Sequence, residues 1–108
     1  MTSNQVNSWS YVVLWEFIVK PGEEARFEAV YGPKGDWARC FQQGAGYVAT
    51  ELNRDLDGPK RYVTMDFWAS KEAYEKFKTE HAAEYQEIDR RCEDITEQER
   101  ELGKFERI

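Results

Sequence analysis

Two carboxylates stand where their neighbours are apolar. Glu16 interrupts the run from Tyr11 to Val19, and Asp66 interrupts the run from Tyr62 to Trp68. A carboxylate in such a place has two fates. It pairs with an arginine, Arg54 and Arg61 being available, or it is desolvated, binds its proton more tightly and serves as a general base. Both fates stay open from the sequence. Tyr62, Thr64, Asp66 and Trp68 alternate with period two and share one strand face. A face that mixes aromatic and polar groups beneath helices is what a pocket for a small aromatic ligand requires. The alternative is that Tyr62 and Trp68 pack on the helices while Asp66 accepts their hydrogen bonds. His81, the single histidine, falls between Phe77 and Tyr85 on a helical apolar stripe. It is either a hydrogen-bonded core residue or a proton shuttle or axial haem ligand in the same pocket.

Other chemistries lack their residues. Most acids sit in runs such as Glu23-Glu24 and Glu97 to Glu101, which are solvated faces. Gly44-Ala45-Gly46 leads into a strand and lacks the dinucleotide spacing, and there is no nucleophile elbow. Cys40 and Cys92 form no CxxC pair, and with one histidine they leave no zinc set. No metal and no cofactor are therefore expected, and the two cysteines suit a reducing cytoplasm. The chain has 108 residues, with 15 Lys+Arg against 21 Asp+Glu and a formal net charge of −6. That balance disfavours nucleic acid and anionic membrane as partners. The longest apolar run, Tyr11 to Trp15, is far short of a spanning helix. Residues 1–9 begin with a polar stretch free of Lys and Arg, expected as a disordered tail ahead of one domain over 10–108.

The elements that must position these groups follow from periodicity. Residues 11–19 are β-branched or aromatic with both faces apolar except at Glu16, which predicts a central strand. Pro21-Gly22-Glu23-Glu24 opens a helix carrying Phe27, Val30 and Tyr31, and Gly32-Pro33 stops it. Asp36 is expected to cap a short helix with Trp37, Cys40 and Phe41 on one side. Residues 46–54 alternate, with Val48, Thr50 and Leu52 on one face and Tyr47 and Ala49 on the other. The turn residues 55–59 join them to a strand over 60–68 in a hairpin. Ser70 caps a long helix striped by Tyr74, Phe77, His81, Tyr85, Ile88, Cys92 and Ile95. Thr96-Glu97-Gln98-Glu99 reads as a capping box starting one more short helix, and residues 104–108 form a last strand.

The order strand, helix, strand, strand, helix, strand is the ferredoxin-like α+β arrangement, an antiparallel sheet with helices on one face. The first strand and the side made by Val63, Met65 and Phe67 would leave the other face apolar and bare. Two such sheets packed face to face in a homodimer remove that exposure.

The stretch Val13 to Phe17 with Lys20-Pro21-Gly22, Phe27 and Tyr31 resembles the opening of the antibiotic biosynthesis monooxygenase family. Gly46-Tyr47 with Thr50-Glu51-Leu52, and Asp66 through Tyr74 with its Trp68-x-Ser70-x-x-Ala73 segment, are similar to the same family, so the likeness runs over roughly residues 11–106. The resemblance implies a dimeric α/β barrel. It also implies, for some members, oxidation of phenolic or anthrone-type compounds by molecular oxygen without a cofactor. It implies a pocket between sheet and helices to which Trp68 and Tyr74 contribute. The chemistry of such an oxidation, which must hold a flat ring and remove one proton, adds Tyr62, Thr64, Phe77 and Trp15 as expected substrate contacts and Asp66 or His81 as the group taking the proton. Anthrone-oxidising members carry an Asn where this chain has Thr64. Haem-degrading members have a helix His, three residues earlier than His81, and an Asn on the first strand, where residues 11–19 hold none. The competing expectation is a non-catalytic dimer that binds a hydrophobic ligand.

Overall fold

The computed structural model describes residues 8–108. Its elements in chain order are β1 (Tyr11–Val19), α1 (Glu24–Tyr31), α2 (Asp36–Phe41), β2 (Tyr47–Arg54), β3 (Arg61–Trp68), α3 (Lys71–Glu80), α4 (Ala82–Arg91) and β4 (Thr96–Glu106). The strands make one antiparallel sheet in the order β2-β3-β1-β4. This is the ferredoxin-like α+β fold. β1 is central, as its two apolar faces predict.

One sheet face carries the core. Tyr11, Val13, Phe17 and Val19 of β1 and Tyr62 and Trp68 of β3 pack with Phe27, Tyr31, Phe41, Tyr74, Phe77 and Ile88 from the helices. The other face presents Val12, Leu14, Glu16 and Ile18 beside Val63, Met65 and Phe67, most of them only half-buried. Glu16 takes the first of its two fates. Its carboxylate bonds Arg61 Nε at 2.5 Å and Arg100 Nη2 at 3.0 Å, and those two arginines hold it below the usual carboxylate range.

Local chemistry sets the connections. Pro21 and Gly22 form a turn closed by Glu23 N–H on the Lys20 carbonyl at 3.0 Å, and Gly22 supplies the φ of +88° that the turn needs. The first helix therefore starts at Glu24, after the turn. Asp55 accepts the Asp57 N–H at 2.9 Å in the hairpin turn, and Arg61 reaches back to Asp55. Ser70 Oγ accepts the Ala73 N–H at 3.0 Å, the cap its sequence position predicts.

The structure corrects three expectations. Gly35, not Asp36, is the N-cap of α2; Asp36 lies in the first turn and bonds Arg39. The long helix is two helices, because His81 adopts φ −119° and ψ 30° and interrupts the ladder between α3 and α4. The stretch from Thr96 is a strand: β4 pairs with β1 along its whole length, through two register shifts. Its side chains are exposed nearly throughout, and charged groups of that kind blunt a sheet edge against further pairing. Of the tail expected over residues 1–9, residues 1–7 lie outside the described residues. Trp9 packs its ring 5.0 Å from that of Phe67. Among the described residues no helix is long and apolar enough to cross a membrane.

Candidate active site

Between the helices and the inner sheet face lies a cleft whose empty space, with the open solvent at its mouth included, is about 580 Å³. Val13, Trp15 and Phe17 form its floor from β1, and Thr64 and Asp66 from β3. Tyr31, Trp37 and Phe41 wall it from α1 and α2, and Tyr74, Tyr85 and Asp89 from α3 and α4. Glu99 of β4 and Thr50 of β2 complete the lining, which contains no Lys, Arg or His.

Asp66 is the chemical centre of this cavity. It is buried, and Thr50 Oγ1 donates to its Oδ1 at 2.8 Å. Arg54 bonds Glu28, and Arg61 bonds Glu16 and Asp55, so neither candidate arginine reaches it. Burial pushes the Asp66 carboxyl up to about 7, against the smaller opposing pull of the Thr50 bond. At neutral pH such a group is poised between acid and base. The phenols around it hold their protons more firmly than usual. Burial, then the neighbouring Asp89 and Asp66 charges, push Tyr85 up to about 12, and burial raises Tyr74 as well. Glu99 is raised by burial and by Asp89.

Four of the residues singled out in the sequence meet at this cavity: Asp66, Thr64, Tyr74 and Trp15. Four do not. Trp68 is fully buried behind it, ringed by Phe41, Tyr47, Tyr74 and Phe77 at centroid distances of 5.4 to 5.8 Å. Phe77 is core beside it, and the Tyr62 hydroxyl is committed to Glu28 at 2.5 Å. His81 stacks on Phe77 at the helix junction and its Nδ1 lies 3.0 Å from Glu84 Oε1. It lines no part of the cavity, so the expected single pocket holding both Asp66 and His81 does not form. The same placement fails the haem fit: the cavity lining offers no imidazole that would hold an iron. Among the described residues no group of three or more His, Cys, Asp or Glu converges as a metal site requires.

Several lining residues carry no site signal in the sequence. In the sequence Trp37 and Phe41 mark only one apolar side of a short helix, and Tyr85 is only a stripe member. Trp68 shows what separates core from site. Its indole Nε1 is buried without an acceptor, so replacing it sacrifices no hydrogen bond. Trp68→Phe is expected to cost about 1–2 kcal/mol, the volume term alone. Urea unfolding followed by circular dichroism measures it, and the affinity of the cavity should stay within about twofold.

The antibiotic biosynthesis monooxygenase family model matches residues 10–88. The chain belongs to that family. Among solved structures it is similar to a Bordetella bronchiseptica protein bearing the same family name, at 20% identity over 93% of this chain and 98% of that one, with a TM-score of 0.71. It is also similar to SnoaB, a cofactor-independent oxygenase from Streptomyces nogalater, at 20% identity over 90% and 91% of the two chains and a TM-score of 0.62. A Pseudomonas aeruginosa protein aligns at 15% identity over 94% and 96%, with a TM-score of 0.67. At such identities the likeness is one of fold. Among curated proteins none matches this chain at a significant level. Membership in the monooxygenase family fits a cavity whose one buried acid lies among aromatic walls.

Proposed function

We propose that this protein is a cofactor-independent monooxygenase acting on a small aromatic substrate with an acidic ring-adjacent proton: a phenol, a quinol or an anthrone. The observation that carries the proposal is Asp66, buried without a cation in a cavity walled by Trp15, Trp37, Tyr74 and Tyr85. For an anthrone the steps balance without any other redox partner. Asp66 takes a proton from the CH2 group and leaves a carbanion. The carbanion passes one electron to molecular oxygen, and the radical pair closes to a C–O bond as a peroxide anion. Protonated Asp66 returns its proton to give the hydroperoxide. Loss of water from C–OOH then leaves the carbonyl, one oxygen atom in the product and the other in water. The cavity supplies flat apolar contact for the ring, while its walls limit the water that would quench the carbanion.

The uncovered sheet face supports a homodimer closing into an α/β barrel. Leu14, Ile18, Val63, Met65 and Phe67 make an apolar patch at its centre that a second copy would cover. Buried free thiols at Cys40 and Cys92 suit a cytoplasmic setting.

The test is oxygen uptake in chelator-treated buffer with a panel of phenols, quinols and anthrones. At least one compound is expected to consume oxygen in a one-to-one ratio with protein-dependent product. Uptake no faster than the uncatalysed rate across the panel would leave a ligand-binding dimer in its place.

A further inference from the structure

The sheet is irregular at one point that matters for Asp66. In the β2–β3 pairing Tyr47 lies opposite Trp68 and Ala49 opposite Phe67, so Val48 is the extra residue of a bulge. Strict alternation would put Tyr47 on the face away from Thr50. The bulge brings it to the inner face, where its ring packs 5.4 Å from Trp68 and its hydroxyl lies 2.8 Å from Thr50 Oγ1. Thr50 in turn stands opposite Asp66 in the ladder and bonds its Oδ1 at 2.8 Å.

The hydrogens in this chain have one consistent order. Thr50 owns a single hydroxyl hydrogen, and an ionised Asp66 has none to give. The Thr50 hydrogen therefore points to Asp66, and the Tyr47 hydroxyl donates to Thr50. From this we propose that Tyr47 and Thr50 are positioning residues for the base: they occupy Oδ1, orient the carboxyl plane, and leave Oδ2 as the atom that meets the substrate proton. The inference rests on the proposed role of Asp66 and adds two residues outside any previously assigned role. The titratable groups facing Asp66 across the cavity are Tyr31 from α1, Tyr74 from α3, Tyr85 and Asp89 from α4 and Glu99 from β4. None is a cation, so the ionised form finds its favourable polar contact in this hydroxyl pair. Bonds to an ionised acceptor are the stronger kind, and a donor chain polarises its members.

The test follows the Asp66 carboxyl by 13C NMR across pH in the full-length protein, with no substrate present. Thr50→Val, close in shape but without a donor, is expected to raise the Asp66 midpoint by about one pH unit. Thr50→Ser restores the donor and is expected to titrate like the wild type. Tyr47→Phe removes only the second link and should raise the midpoint in the same direction by less. A Thr50→Val protein that titrates as the wild type does would overturn the proposal, as would a Thr50→Ser protein shifted equally far. If Thr50→Val does not fold, Tyr47→Phe decides alone: an unchanged midpoint overturns the chain. With an active substrate, Thr50→Val should lower kcat about tenfold with little change in KM. Wild-type protein inert toward oxygen but showing the expected midpoint series would defeat the oxygenase reading and leave the positioning chain standing.

Discussion

Asp66→Asn is expected to lower turnover by 10²-fold or more and, above neutral pH, to make the protein more stable. The first effect is the loss of the proposed general base, a kind of group whose removal typically costs 10²- to 10⁴-fold. The second follows from the direction of the Asp66 shift. In the unfolded chain the carboxyl ionises near ~3.9, and in the folded protein at about 7. Between those values folding takes up a proton, so the contribution of Asp66 to stability is greatest below pH ~4 and falls as pH rises toward 7. Asparagine keeps the shape and the acceptor for Thr50 and never ionises. Wild type and variant should therefore melt together at pH 4. At pH 8 the variant should be more stable by on the order of 2–4 kcal/mol, roughly 10–20 °C in a domain of this size. In the wild type kcat/KM should rise with pH through a midpoint near 7, and the residual activity of the variant should lack that limb. A variant equally unstable at pH 8 would show that Asp66 is not desolvated as described.

Met65→Lys is expected to break the proposed homodimer while leaving the fold intact. Met65 pairs with Leu14 at the middle of the uncovered face, with Val63 and Phe67 two residues away on either side. Two copies meeting there would bring two lysines into one apolar contact. Burying unpaired charge costs several kcal/mol, comparable to the surplus that holds a modest interface together. As a monomer, the variant would leave its ammonium in water and lose little. Sedimentation should give about twice 12.8 kDa for the wild type and 12.8 kDa for Met65→Lys, with matching circular dichroism. A wild type sedimenting as a monomer at micromolar concentration would refute the interface.

Much of this architecture is legible from residue order because the strong signals are long-range in type. An apolar β-branched run on both faces belongs at a sheet centre, and β1 lies there. Period two along 62–68 puts Asp66 inward with Thr64, and the structure keeps it there. The failures share a cause: local preference was outweighed by pairing partners that the sequence does not display. Thr96 to Glu99 carries helix-start chemistry, but β1 had an open edge whose N–H and C=O groups needed a ladder, and β4 supplies it. Steps of three and four from Tyr74 to Ile95 continue smoothly through His81, so periodicity cannot reveal a break in the backbone there. Strict alternation puts Tyr47 on the face away from Thr50, and one bulged residue reverses it. The candidate site suffered accordingly. Trp68 and His81 fall outside the cavity, and Thr50, Trp37 and Tyr85 enter it.

The most direct measurement is a crystal structure with an unreactive aromatic ketone or phenol bound. The ring is expected between Trp15, Trp37 and Tyr85, with its polar atom within about 3 Å of Asp66 Oδ2 and Thr50 still on Oδ1. A ligand seated elsewhere, or one in this cavity that leaves Asp66 untouched, would contradict the assignment of Asp66 as the base.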